Sequence, residues 1–162
     1  MKKLDRLKIA PAIIISLLCL LPNLTLSKEI KSSLDFALQG KKLLNVVYCS
    51  IYSASLEKPK QATRLIELGI DLGREFINAA RNGKISEEDW KNNVPIIIGR
   101  SIWGPTTDFA LGALWQISSE EVQRNMRKEL SKNDCETCQF DKELQSNYQL
   151  EEYQKRNCEL IK

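Results

Sequence analysis

Histidine is absent from all 162 residues. Without an imidazole the chain can build no Ser-His-Asp or Cys-His nucleophile, no histidine-held metal centre, and no acid-base group that works near neutral pH from an unperturbed pKa. Paired carboxylates can hydrolyse glycosides alone. The candidate pairs Glu120-Glu121 and Glu151-Glu152, however, are adjacent on helical segments, so they point in different directions and read as solvated faces. Alternating strand patterns are missing too, and no internal repeat, low-complexity tract or linker of distinct composition divides the chain.

A long hydrophobic run is also missing. The most apolar stretch, Ile9 to Leu21, falls short of the ~20 residues a bilayer-spanning helix needs and is interrupted by Pro11. Preceded by Lys2, Lys3, Arg6 and Lys8 and followed by a short polar exit ending in Thr25-Leu26-Ser27, it has the layout of a cleaved export signal over residues 1–27. The bulky Leu18 before Cys19 argues against lipid attachment there. The expected mature protein is a single domain, 28–162, exported to the periplasm or secreted, with membrane contact limited to the signal before cleavage.

Cleavage also removes an apparent basicity. Four of the 24 Lys/Arg and one of the 21 Asp/Glu lie in residues 1–27, so the remainder carries twenty of each sign. With the signs interspersed there is no basic stripe for nucleic acid or for an anionic membrane surface.

What is present has helical spacing, predicting an all-α, disulfide-stapled bundle of about five or six helices. Lys42 to Leu56 places Leu44, Val47, Tyr48, Ile51 and Tyr52 on one face, with Cys49 at its border. Pro59 to Asn82 is the clearest helix, with Leu65, Ile66, Leu72, Phe76, Ile77 and Ala80 as its buried stripe and Gly83 as its exit. Two glycines inside a helix, Gly69 and Gly73, suggest a close crossing, since each costs about 1 kcal/mol against alanine; plain tolerance of both is the alternative. Ser86 to Asp89 resembles a capping box with Asp at the usual Glu/Gln place. Ile96 to Ile98, between Pro95 and Gly104-Pro105, is expected to be a short helix. Thr106 or Thr107 caps the next helix, whose face runs through Phe109, Gly112, Ala113 and Ile117 to Val122, Met126 and Leu130; Ser118 with Glu121 offers a second start. A last helix spans about Gln139 to Asn157, with Phe140, Leu144 and Tyr148 on one side and Leu150 and Tyr153 nearby.

Four cysteines remain after the signal: Cys49, Cys135, Cys138 and Cys158. An even number in an exported chain points to two disulfides. The preferred pairing is Cys49 with Cys158 and Cys135 with Cys138; crossed pairings between the two sets stay open. Cys135-Glu136-Thr137-Cys138 has the CxxC spacing of thiol-disulfide oxidoreductases, but it follows no βαβ pattern, and Asp134, Glu136 and Asp141 would raise its thiol pKa. A four-cysteine zinc site wants two close pairs, and Gln139 stands where haem attachment through CxxCH needs histidine, so neither a metal nor a cofactor is expected.

Trp90, Trp103 and Trp115 complete the inventory. Burial tendencies put tryptophan at the core or its edge, with Trp115 off the main stripe. Trp103, beside the Gly104-Pro105 turn, is the candidate contact residue for a partner, with Asp108 the one carboxylate in a suggestive setting. The expected function is therefore a non-catalytic exported domain that binds another protein or a small ligand. The alternative is a thiol-redox protein using Cys135 and Cys138.

Overall fold

The computed structural model describes residues 30–132 and 141–162, and every regular element among them is helical. Six α-helices follow in order: α1 (Ser33–Ser55), α2 (Pro59–Arg81), α3 (Glu87–Asn93), α4 (Ile96–Ser101), α5 (Thr107–Leu130) and α6 (Lys142–Lys155), ending in a 3-10 turn at Cys158–Leu160. None of the helices among the described residues is long and apolar enough to cross a membrane. The expected signal segment and the start of the last helix at Gln139 and Phe140 lie outside the described residues.

α1 is the central element, packing against α2, α3, α5 and α6. It begins at Ser33 rather than at Lys42, started by a full capping box: the Ser32 hydroxyl accepts from Asp35 N–H, and the Asp35 carboxylate accepts from Ser32 N–H at 2.8 Å. Gly40 therefore sits mid-helix, where the Phe76 ring crosses so closely that a Cβ would come within 2.9 Å of it. The first two long helices, α1 and α2, end in Schellman turns. In α2, Gly83 takes φ 66°, with Gly83 N–H on Ala80 O and Lys84 N–H on Ala79 O. In α1, Glu57 takes φ 56° and the bonds run to Ala54 and Ser53.

The core has two parts. Leu43, Val47, Phe76, Ile77, Ile98, Ile102, Ala110, Leu111 and Leu114 join α1, α2, α4 and α5. Val46, Tyr48, Cys49, Tyr52, Leu65, Val122, Tyr153 and Cys158 tie α6 and the C-terminal turn onto α1, α2 and α5. Gly69 and Gly73 mark a close helix crossing as expected. A Cβ on Gly69 would meet the Trp115 ring at 2.6 Å, and one on Gly73 would collide with Leu111.

Several faces depart from expectation. Ile66 is 39% exposed, and Ala62, Gly69 and Gly73 take the inward positions of α2. On α5 the inward residues are Ala110, Leu111, Leu114, Ser118, Val122 and Met126, so Phe109 and Gly112 face outward. α5 also runs unbroken through Ser118, which is wholly buried, while Glu121 accepts from the Tyr48 hydroxyl at 2.6 Å instead of starting a helix. Trp115 lies off the buried row of α5 but packs at the core edge, where it lies over Gly69 and its indole N–H donates to Ser50 Oγ at 3.0 Å. The Ser86 cap is half of the expected box. Ser86 Oγ accepts from Asp89 N–H, but Ser86 N–H donates to Ser33 Oγ rather than to the Asp89 carboxylate.

Candidate functional site

The connection from α4 to α5 presents the candidate contact residues. Pro95, in extended conformation, starts α4, and the Thr106 hydroxyl caps α5 by accepting from Phe109 N–H at 3.1 Å. Between them, Ile98, Ser101 and Ile102 turn into the core while Trp103 stands 71% exposed. One guanidinium organises the turn. Arg81, in the last turn of α2, donates through Nη2 to the carbonyls of Ile102 at 3.1 Å, Gly104 at 3.0 Å and Thr106 at 3.4 Å. The Ile102 and Gly104 carbonyls, at and beyond the end of α4, have no partner within that helix and are satisfied by this cation, while Thr106 O also accepts the first bond of α5 from Ala110 N–H.

The neighbouring contacts are polar and well aimed. Asp108 makes a two-pronged ion pair with Arg74, Nε to Oδ1 at 3.0 Å and Nη2 to Oδ2 at 3.2 Å. The Arg74 guanidinium holds the Asp108 carboxyl below the usual carboxylate range. Asp108 also sits in the first turn of α5, where it complements the helix dipole. Thr107 Oγ1 reaches Asn78 Oδ1 at 3.3 Å, so α2 grips the start of α5 at two further points. Asp108 is thus engaged by Arg74, and both Asp108 and Trp103 remain exposed.

Of the other tryptophans, Trp90 is half-buried and stacks on Phe76, ring centroids 6.1 Å apart at 18°, and Trp115 is held as described above. Both serve the core edge. Among the three, Trp103 alone is exposed.

A second polar constellation surrounds the disulfide. Cys49 and Cys158 are bonded, both wholly buried, which excludes the crossed pairings. Beside them the Arg156 guanidinium lies 4.2 Å from the Tyr48 ring centroid and 5.9 Å from that of Tyr52, and Lys58 Nζ lies 4.4 Å from the Tyr153 ring. Burial, reinforced by the bond to Glu121, pushes the Tyr48 hydroxyl well above its ordinary value. Burial likewise pushes Tyr52 up to about 12. These groups interlock, and where a phenol meets a carboxylate at Tyr48 and Glu121, the hydroxyl is buried and kept protonated by its raised pKa. The carboxylates weighed as catalytic pairs are engaged too: Glu120 accepts from Gln116 at 2.7 Å, and Glu151 and Glu152 both pair with Lys155.

Cys135 and Cys138 lie outside the described residues. Among the described residues no cluster of three or more His, Cys, Asp or Glu side chains is arranged to hold a metal ion. Concave surface among the described residues includes a groove of about 300 Å³ between α1, α5 and α6, lined by Ile51, Val122, Met126, Arg127, Gln145 and Gln149 among others, and an open hollow of about 510 Å³ over Lys58, Pro59, Lys60, Gln61, Tyr153 and Glu159, adjoined by a smaller one of about 260 Å³ at Leu150, Gln154, Asn157 and Leu160. The first is polar and partly filled by Gln149, which reaches Met126 Sδ at 3.7 Å. In the second, Lys58 is already paired with Glu159 at 2.7 Å.

Sequence reasoning singled out Trp103 and missed Arg81, the residue that fixes it. The signal was present: a basic residue in the last turn of a helix, two places before the Gly83 exit, is placed to bind carbonyls. What sequence could not supply was that the carbonyls belong to a turn twenty residues further on. No protein-family model, curated protein or solved structure matches the chain.

Proposed function

We propose that the protein is an exported, disulfide-stapled helical domain without catalytic activity that binds another protein through the α4–α5 turn. The observation that carries this reading is Trp103, 71% exposed on a turn whose three carbonyls are held by one arginine. A large exposed aromatic on a rigid turn loses little entropy on binding and supplies the kind of anchor that dominates interface energetics. Export is supported by the signal-like residues 1–27 and by the buried Cys49–Cys158 bond.

Crosslinking in the export compartment tests the reading. Replacing Trp103 with Ala should remove a specific crosslinked adduct while the thermal transition moves by no more than a surface substitution allows, about 0.5 kcal/mol. An adduct that survives the substitution, or a collapsed transition, would overturn it. The competing reading is thiol-disulfide exchange at Cys135 and Cys138. It draws on their spacing and on the closure of Cys49 with Cys158, which leaves those two as each other's available partner in the mature chain. Peptide mapping across graded glutathione buffers separates the two: selective opening of Cys135–Cys138 at physiological potentials favours exchange, and persistence of the bond favours the binding domain.

A further inference from the structure

We infer that the partner surface received by the α4–α5 turn is acidic as well as apolar, and that Arg100 selects for it; this rests on the binding reading above and names the partner's chemistry. At about 100° per residue, Ile96 and Arg100 lie about 40° apart on the outward side of α4, and Trp103 follows two residues after the helix ends at Ser101. All three are exposed, Ile96 at 74%, whereas Ile98, Ser101 and Ile102 occupy the inward arc. Phe109, 58% exposed, extends the surface, its ring lying so close to Gly104 that a Cβ there would collide with it. Three large apolar groups thus share one outward surface with a guanidinium.

The charge of this surface is one-sided. From Lys91 to Thr107 the chain contains no acidic residue and two basic ones, Lys91 and Arg100. The first acid beyond them, Asp108, is neutralised by Arg74. Arg81 is occupied by carbonyls, but the exposed Arg100 side chain makes no ion pair or hydrogen bond among the described residues. A planar, weakly hydrated guanidinium beside aromatic surface forms two-pronged bonds with a carboxylate once a partner excludes water. A second copy of this chain does not fit, because a two-fold contact brings this surface against itself, and from Lys91 to Thr107 it offers no carboxylate while Asp108 is already paired with Arg74. A lipid surface fits less well than a protein, since electrostatic anchoring gains about 1 kcal/mol per basic residue and uses clusters of them.

Random peptides displayed and selected on the intact, disulfide-bonded protein supply a defined probe. Selected peptides should combine an aromatic or branched apolar residue with Asp or Glu. A synthesised representative, titrated calorimetrically, should bind about tenfold or more weakly to R100A and to W103A, and more weakly still to R100E. If W103A abolishes binding while R100A and R100E do not weaken it, the acidic partner is refuted and the binding role of the turn stands. If neither position matters, both fall. Trp103-dependent binding to phosphatidylglycerol vesicles without peptide binding, or a dimer in solution that W103A dissociates, would replace the acidic protein by a membrane or by a second copy.

Discussion

Gly73 and Gly112 are both glycines inside helices, and the structure gives them opposite consequences. A methyl group at Gly73 would strike the Leu111 side chain, and one at Gly69 the ring of Trp115. At Gly112 nothing lies within 4 Å, and the position is exposed. Overpacking a close helix crossing costs about 1–3 kcal/mol, enough to outweigh the ~1 kcal/mol that alanine gains over glycine in a helix. Gly73→Ala should therefore destabilise the protein, and Gly112→Ala should stabilise it by about 0.5–1 kcal/mol. Urea denaturation of the two variants checks both signs, and a stabilised Gly73→Ala would show that α5 can shift away from α2. The one-turn spacing of Gly69 and Gly73 was enough to predict a crossing. Gly112 shows the limit of that signal, since its place on the expected inner face of α5 was wrong, and an isolated glycine says nothing about which side of a helix it is on.

At the scale of elements, the helices whose apolar residues outnumber the polar ones on one side were legible, and those whose packing is polar were not. α2 was readable nearly to its ends because Leu65, Phe76 and Ile77 repeat at helical spacing and Pro59 and Gly83 bracket them. α5 was readable as a helix but not in its facing: small and polar residues, Ala110 and Ser118, lie inward, while Phe109 is drawn out to cover the turn beside Gly104. α6 is the extreme case, burying just Tyr153 while Leu144 and Leu150 remain 38% and 40% exposed. Its attachment depends on Arg156 over Tyr48, on Lys58 over Tyr153, and on the bond from Cys158 to Cys49 across 109 residues. In the chain-entropy account, a crosslink closing a loop of that length contributes about 4–5 kcal/mol. The double substitution Cys49→Ser and Cys158→Ser should lower stability by about that amount. In hydrogen exchange it should free the amides of α6 well before those around Leu43 and Phe76, whose cluster holds no α6 residue. Simultaneous exchange of α6 and α1 would mean that polar contacts alone bind the last helix.

Across the whole molecule the lack of histidine and the buried tyrosines set how stability responds to pH. No side chain of the histidine type titrates between about pH 5 and 8, so stability should be nearly level there. On the acid side Asp35, Asp108 and Glu159 are held below the usual carboxylate range by Ser32, Arg74 and Lys58 respectively. A carboxylate lowered in the folded state stabilises it above the unfolded pKa of about 4, and that contribution is lost as pH falls through the folded value. The alkaline side is the more specific to this fold. Burial raises Tyr48 and Tyr52, Tyr52 to about 12, so each stabilises the folded state fully below the unfolded pKa of about 10. As pH rises from about 10 toward 12 the unfolded chain ionises these phenols while the folded one resists, and stability drains away. Tyr48→Phe removes the bond to Glu121 and should be less stable than the parent at neutral pH. It also removes one of the phenol ionisations that burial at Tyr48, Tyr52 and Tyr148 makes easier in the unfolded state, so its alkaline decline should be shallower and the gap between the two proteins should narrow between pH 10 and 12. Urea midpoints measured over that interval decide the matter: parallel declines would mean that Tyr48 ionises as freely in the fold as out of it, and that the Arg156, Tyr48 and Glu121 contacts do not hold α1, α5 and α6 together.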